Sequence, residues 1–159
     1  MSEEPFEDVK AISFLLGTWR GRGSGEWPGA DPFEYEEEMT FGEGLAAFEF
    51  LTYVQRAWKP GTEEILHREV GFWRAFAGGV VDVSLAHPIG VTEIGEGKVE
   101  GSSVRLSSTT VGRASNADQV TALVRRYEVQ GDTLTYWLSM ATEKVPLTTH
   151  LTAKLERLW

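Results

Sequence analysis

Three histidines, His67, His87 and His150, are the residues of this chain best suited to ligate a metal or carry a proton near neutral pH. There is no cysteine, which excludes thiolate ligands, disulfides and cysteine nucleophiles together. His87 shares parity with Val81, Val83 and Leu85, so alternation turns it toward an interior, where an imidazole needs a partner. His67 lies in the run His67-Arg68-Glu69-Val70-Gly71-Phe72 with Glu69 and Gly71 on its face, and a buried His–Glu hydrogen bond would satisfy both groups. His150 opposes Leu151 and Leu155, so simple alternation sends it outward unless a bulge or strand end re-aims it.

Two other patterns invite chemistry. Gly17-Thr18-Trp19-Arg20-Gly21-Arg22-Gly23 puts Trp19, Gly21 and Gly23 on one face of a strand. Glycine there admits a flat ligand, a second backbone, or a bend as a sheet closes. No helix follows these glycines, so a phosphate loop is not indicated. Glu34, Glu36 and Glu38 form a same-face ladder that reads as a solvated outer surface in preference to a metal site. No serine sits in a nucleophile-elbow context.

The elements that position these residues are mostly strands. Phe6, Val9, Ile12, Leu15 and Leu16 have helical spacing, and Gly17 ends that run as a helix cap would. Beyond Gly17 the period is two. Phe33, Tyr35, Met39 and Phe41 alternate with acidic residues and Thr40; Phe48, Phe50, Val54 and Trp58 sit two or four apart; Leu134, Tyr136 and Leu138 alternate with polar residues and Trp137. Turn signals fall at Pro28-Gly29, Pro60-Gly61, Gly78-Gly79, Gly95-Glu96-Gly97 and Gly131-Asp132. The expectation is an all-β domain spanning residues 1–159: about ten antiparallel strands closed into a barrel, with one short N-terminal helix. The net charge of −9 argues against nucleic acid as a partner. No signal peptide or membrane-length apolar run is visible, and a cytoplasmic location is expected. Residue chemistry alone thus reaches a barrel with an inward histidine and names no ligand.

Several of these segments together resemble the nitrobindin family, haem-binding relatives of the fatty-acid-binding-protein-like barrels. The resemblance rests on Gly17, Trp19, Gly21 and Gly23; on Phe33 to Glu38; on His67-Arg68-Glu69-Val70-Gly71-Phe72; on Leu85 to Glu93; and on Ser139-Met140-Ala141-Thr142 with Pro146 and His150-Leu151. It covers the chain from about Phe14 to Leu158.

The resemblance implies one haem b per chain, with His150 as axial iron ligand and His67, His87 and Met140 lining the same cavity. It implies binding of nitric oxide and isomerisation of peroxynitrite to nitrate. The family often has Tyr-Pro-Thr, with the threonine near the haem, where this chain has Trp27-Pro28-Gly29, so Gly29 brings no hydroxyl to that position. The alternative is a binding module for a fatty acid or another small apolar molecule, with Arg125 or Arg126 holding a carboxylate. Trp159 offers apolar surface for a homodimer.

Overall fold

A computed structural model of the chain describes residues 10–43 and 50–159. Ten antiparallel strands follow one another round a closed barrel: β1 (Gly17–Gly25), β2 (Phe33–Glu43), β3 (Phe50–Trp58), β4 (Ile65–Phe76), β5 (Val80–His87), β6 (Val91–Glu100), β7 (Ser103–Arg113), β8 (Val120–Gln130), β9 (Thr133–Thr142) and β10 (Thr148–Leu158). β1 pairs with β2 on one side and with β10 on the other, so the sheet closes on itself. The ladder between β7 and β8 runs only from Ser103↔Glu128 to Ser107↔Val124. Past it, the Ser108 hydroxyl accepts the Leu123 amide, and the wall parts toward one end of the barrel.

The two ends differ. One is filled by Trp19, Phe41, Leu51, Trp73, Leu106, Leu134 and Leu155, all buried. A 3-10 turn, Ser13–Leu15, closes this end and places Ile12 and Leu15 in the same core. The Trp19 indole donates to the Leu15 carbonyl at 2.8 Å, and the Arg157 guanidinium lies over the Trp19 ring while donating to the carbonyls of Leu16 and Phe14. The opposite end is the mouth, built from the last residues of odd strands and the first residues of even ones.

Several local expectations change. The helix expected over Phe6 to Leu16 falls partly outside the described residues, Phe6 and Val9 among them; its described end is the 3-10 turn. Gly17 does not cap a helix but opens β1. In β3 the face is reversed. Leu51, Tyr53, Gln55 and Ala57 point inward, while Val54 is exposed; Phe48 lies outside the described residues. Trp58 is buried on the outer face, beneath the Arg20 and Arg56 guanidiniums and donating to Glu36. Gly95 to Gly97 makes no turn. It runs through the middle of β6, where Gly95 sits at a bulge and Gly97 lies close against the Arg105 carbonyl of β7.

The glycines of β1 have a steric reason. Gly23 faces Tyr35 across the ladder and Gly25 faces Phe33, and each aromatic ring lies over its glycine where a Cβ would otherwise sit. Neighbouring side chains, not a ligand, occupy that space.

Candidate functional site

The mouth opens into a cavity of about 1310 Å³, larger than ordinary small-molecule pockets of roughly 300–1,000 Å³. Its upper wall carries the apolar Phe33, Leu66, Ile89, Val91, Leu138 and Leu151 beneath a rim that includes Lys59, Glu64, Asp118 and Lys144; its floor is polar. His67, His87, Met140 and His150 all line it, so four of the residues singled out in the sequence meet in one space.

His150 reaches the cavity through a bulge. Thr149 pairs with Ser139 and Leu151 with Leu138, so His150 is the extra residue between two registered pairs. That extra residue overturns the outward orientation that simple alternation gives. Two contacts fix it. The Glu26 amide donates to the His150 carbonyl at 2.8 Å, and His150 Nδ1 lies 2.9 Å from the Glu26 carbonyl. A carbonyl only accepts, so Nδ1 carries the hydrogen and Nε2 keeps its lone pair free. The rings of Trp27 and Phe33 meet the imidazole edge-on, with centroids at 5.2 and 6.3 Å.

His87 and His67 stand on β5 and β4. His87 lies five strands from β10 in either direction round the barrel, directly across from His150. His87 Nε2 is 2.8 Å from Glu93 Oε1, and His87 Nδ1 is 3.1 Å from His67 Nε2. Glu69 lies beneath them. Arg125 binds Glu69 through both guanidinium ends, at 2.7 and 3.1 Å, and also donates to Glu93. Tyr53 donates to Glu69 at 2.6 Å. Burial opposes charge on these carboxylates, but the Arg125 guanidinium outweighs it and holds Glu69 well below the usual range and Glu93 below it. The reciprocal attraction raises Arg125 against its own desolvation.

A second buried acid, Glu37, has no cationic hydrogen-bond partner. Gln55 donates to its Oε2 at 2.6 Å and Tyr136 at 3.0 Å, and Tyr136 also bonds Tyr35 at 2.6 Å. Burial pushes the Glu37 carboxyl up to about 8. The folded chain therefore keeps a proton that the unfolded chain releases above the ordinary carboxylate range. Stability from this group is complete below that range and is lost as pH rises toward 8. Glu37→Gln is expected to flatten the rise in urea sensitivity between the ordinary carboxylate range and pH 8; denaturation midpoints across that interval check it, and an unaltered slope would assign the proton elsewhere.

Of the remaining candidates, Glu34 edges the cavity and the others lie away from it. Gly17 and Gly21 contact Arg157 and β10, and Trp19 belongs to the closed end. Gly29 sits in the exposed turn after Trp27 with φ 83, a left-handed conformation that disfavours a threonine, and does not line the cavity. Glu36 and Glu38 face outward, where they meet Arg22, Arg20 and Arg56; Glu36 also accepts from Trp58. Arg126 lies on the outer surface over Trp137. Trp159 is 93% exposed.

Sequence reasoning passed over Glu37, Gln55 and Glu93 as site residues. Each had a visible signal in its parity. Glu37 shares a face with Tyr35 and Met39, Gln55 with Tyr53, and Glu93 with Val91. A charged residue on an apolar face points to a buried partner.

Comparison with known proteins agrees with this geometry. Residues 8–157 match the family model described as "THAP4-like, heme-binding beta-barrel domain". A "Peroxynitrite isomerase" of Nocardia farcinica is 44% identical over 154 residues, covering 94% of this chain and 90% of its own. A "Peroxynitrite isomerase 1" of Mycolicibacterium paratuberculosis is 41% identical, covering 94% of both chains. The crystal structure of Rv2717c from M. tuberculosis superposes with a TM-score of 0.87 at 40% identity, covering 96% of this chain and 98% of that one. With its barrel, its cavity and its matched length, this chain belongs to the THAP4-like haem-binding β-barrel family.

Proposed function

We propose that this barrel holds one haem b through His150 and, in its ferric state, isomerises peroxynitrite to nitrate and binds nitric oxide. The observation that carries the reading is the state of the His150 ring. Its Nδ1–H is bound to a backbone carbonyl, its Nε2 lone pair is free, and the ring stands at the wall of a large cavity with apolar upper sides. A hydrogen-bonded second nitrogen is the usual arrangement for an imidazole that ligates a metal, since it fixes the tautomer and raises basicity. A porphyrin needs a roomy apolar slot with one neutral imidazole, and the residues present fit that demand.

Bound ferric haem, held through His150, would supply a Lewis-acidic iron. The chain's own residues hold and enclose. Trp27 and Phe33 brace the His150 ring, Leu138, Met140 and Leu151 line its side of the cavity, and Leu66 and Ile89 face the mouth. The apolar part of that wall would slow the entry of water to a bound ligand. His67 and His87 stand on the far wall and are tied to carboxylates.

The lipid-carrier reading loses its anchor here. Arg125 is saturated by Glu69 and Glu93, and Arg126 faces outward, so neither offers a free guanidinium to a fatty-acid carboxylate in the cavity. Stopped-flow mixing of peroxynitrite with the hemin-loaded chain tests the proposal. Faster decay with an increased nitrate yield is expected; a decay rate equal to that of buffer would sink it.

A further inference from the structure

We propose that His67, Glu69 and His87 form a second site, for a divalent transition ion of the zinc class, on the cavity wall opposite His150. The proposal does not rest on haem binding, because none of its three ligands contacts the His150 ring.

The ligand atoms define the site. His67 Nε2, His87 Nδ1 and Glu69 Oε2 lie 3.1, 3.4 and 3.4 Å apart. Zinc binds imidazole nitrogen at about 2.0–2.1 Å and carboxylate oxygen at about 2.0–2.2 Å, so tetrahedral angles separate its ligand atoms by roughly 3.3–3.5 Å. The triangle therefore matches one face of a zinc tetrahedron. Hydrogen bonding accounts for the 3.1 Å side between His67 and His87 but less well for the other two. Both histidine–carboxylate separations exceed the ordinary N–H···O range of about 2.7–3.2 Å. The three atoms are nearly equidistant, whereas hydrogen-bonded groups line up in pairs.

The surroundings suit ligation. His87 Nε2 donates to Glu93, which leaves Nδ1 with a lone pair aimed into the triangle. A carboxylate behind a ligating imidazole is the usual outer support of zinc histidines. Tyr53 and Arg125 Nη1 donate to Glu69 Oε1 at 2.6 and 2.7 Å, whereas Oε2 accepts only the longer 3.1 Å bond from Arg125 Nη2 and faces the histidines. Charge also favours a cation. Two carboxylates, Glu69 and Glu93, share the one guanidinium of Arg125, which leaves a formal excess of one acidic group. A divalent ion offsets it.

The His67 side chain is 30% exposed and lines the cavity, so an ion can enter from the mouth. Three protein ligands leave the fourth position for water or a small anion, the pattern of an open site and not of a closed structural one. Two borderline imidazole nitrogens with one hard carboxylate oxygen suit zinc, cobalt and ferrous iron.

Cobalt(II) reports the geometry directly, because a tetrahedral complex absorbs strongly in the visible and an octahedral one weakly. Full-length protein purified without haem and stripped with chelator is titrated with Co²⁺, then with Zn²⁺ as competitor. One equivalent of Co²⁺ should give intense bands that Zn²⁺ abolishes. His67→Ala and His87→Ala should each weaken Co²⁺ by more than about 100-fold, beyond the cost of losing an outer-shell partner. His150→Ala should leave the cobalt spectrum unchanged while hemin uptake is lost. Weak octahedral bands, or undiminished affinity in the half-exposed His67→Ala variant, overturn the proposal. Hemin binding measured on the same variants keeps failure of this site distinct from failure of the haem reading.

Discussion

His150→Ala is expected to abolish stable hemin uptake while leaving the barrel folded. The side chain sits half-exposed at a bulge and makes one side-chain hydrogen bond, to Glu26, so its loss costs the fold little. It is the one cavity histidine whose second ring nitrogen is held by a neutral backbone acceptor; His67 and His87 are tied to carboxylates and to each other. Removing it takes the proposed iron ligand out of the site, an effect larger than the roughly 10–100-fold lost when only an outer partner is removed. A Soret titration reads the loss, and circular dichroism confirms the fold. Exogenous imidazole should restore part of the absorbance by filling the space left behind. A variant that takes up hemin as tightly as the parent would move the ligand to another residue.

Arg125→Met should produce the largest loss of stability of any single substitution in the cavity floor. Arg125 is buried and donates to both Glu69 and Glu93, and its removal strands two ionised carboxylates away from water. Breaking a buried ion pair by deleting one partner costs about 3–5 kcal/mol. The pH dependence should also change sign. In the parent, both carboxyls sit below the ordinary range, so the stability they contribute is present above that range and lost on acidification. Without the guanidinium, burial raises them instead, and the variant should gain stability as pH falls and protonates them. Guanidinium unfolding at neutral and mildly acidic pH gives both results. A loss under about 1 kcal/mol would show that the acids find other partners. Adding Glu69→Gln and Glu93→Gln should recover much of the loss, because no buried charge then remains unpaired.

The barrel was readable because period two persists through most strands and glycine or proline marks most turns. β5 and β9 show it well: Val81, Val83 and Leu85, like Leu134 and Tyr136, face inward as their alternation requires. The face of β3 was misread because Phe50 and Val54 are as apolar as the residues beside them, and a strand apolar on both faces carries no phase. Gly95 and Gly97 looked like a turn because glycine is ambiguous between a reversal and a close approach of two backbones, and here it serves the second role.

The site was legible in its histidines and much less so in what orients them. His150 turns inward by a bulge, and a bulge has no side-chain signature. Its clamp is the main chain of Glu26, for which any amino acid but proline would serve, so no residue type announces the contact. The partnership of Arg125 with Glu69 and Glu93 joins residues 56 and 32 positions apart, a separation that no local pattern reports.

The seating of Phe33 over Gly25 reaches further than local packing. A single methyl group at position 25 would fall inside the phenyl ring and drive it off the strand. That ring is one of the two that flank the imidazole of His150. One added carbon, placed on a neighbouring strand, would thus act as a wedge that tilts the nitrogen proposed to bind iron. Positions 25 and 33 are expected to drift together through descent, a small residue facing a large flat one, because either change alone misaligns the ligand.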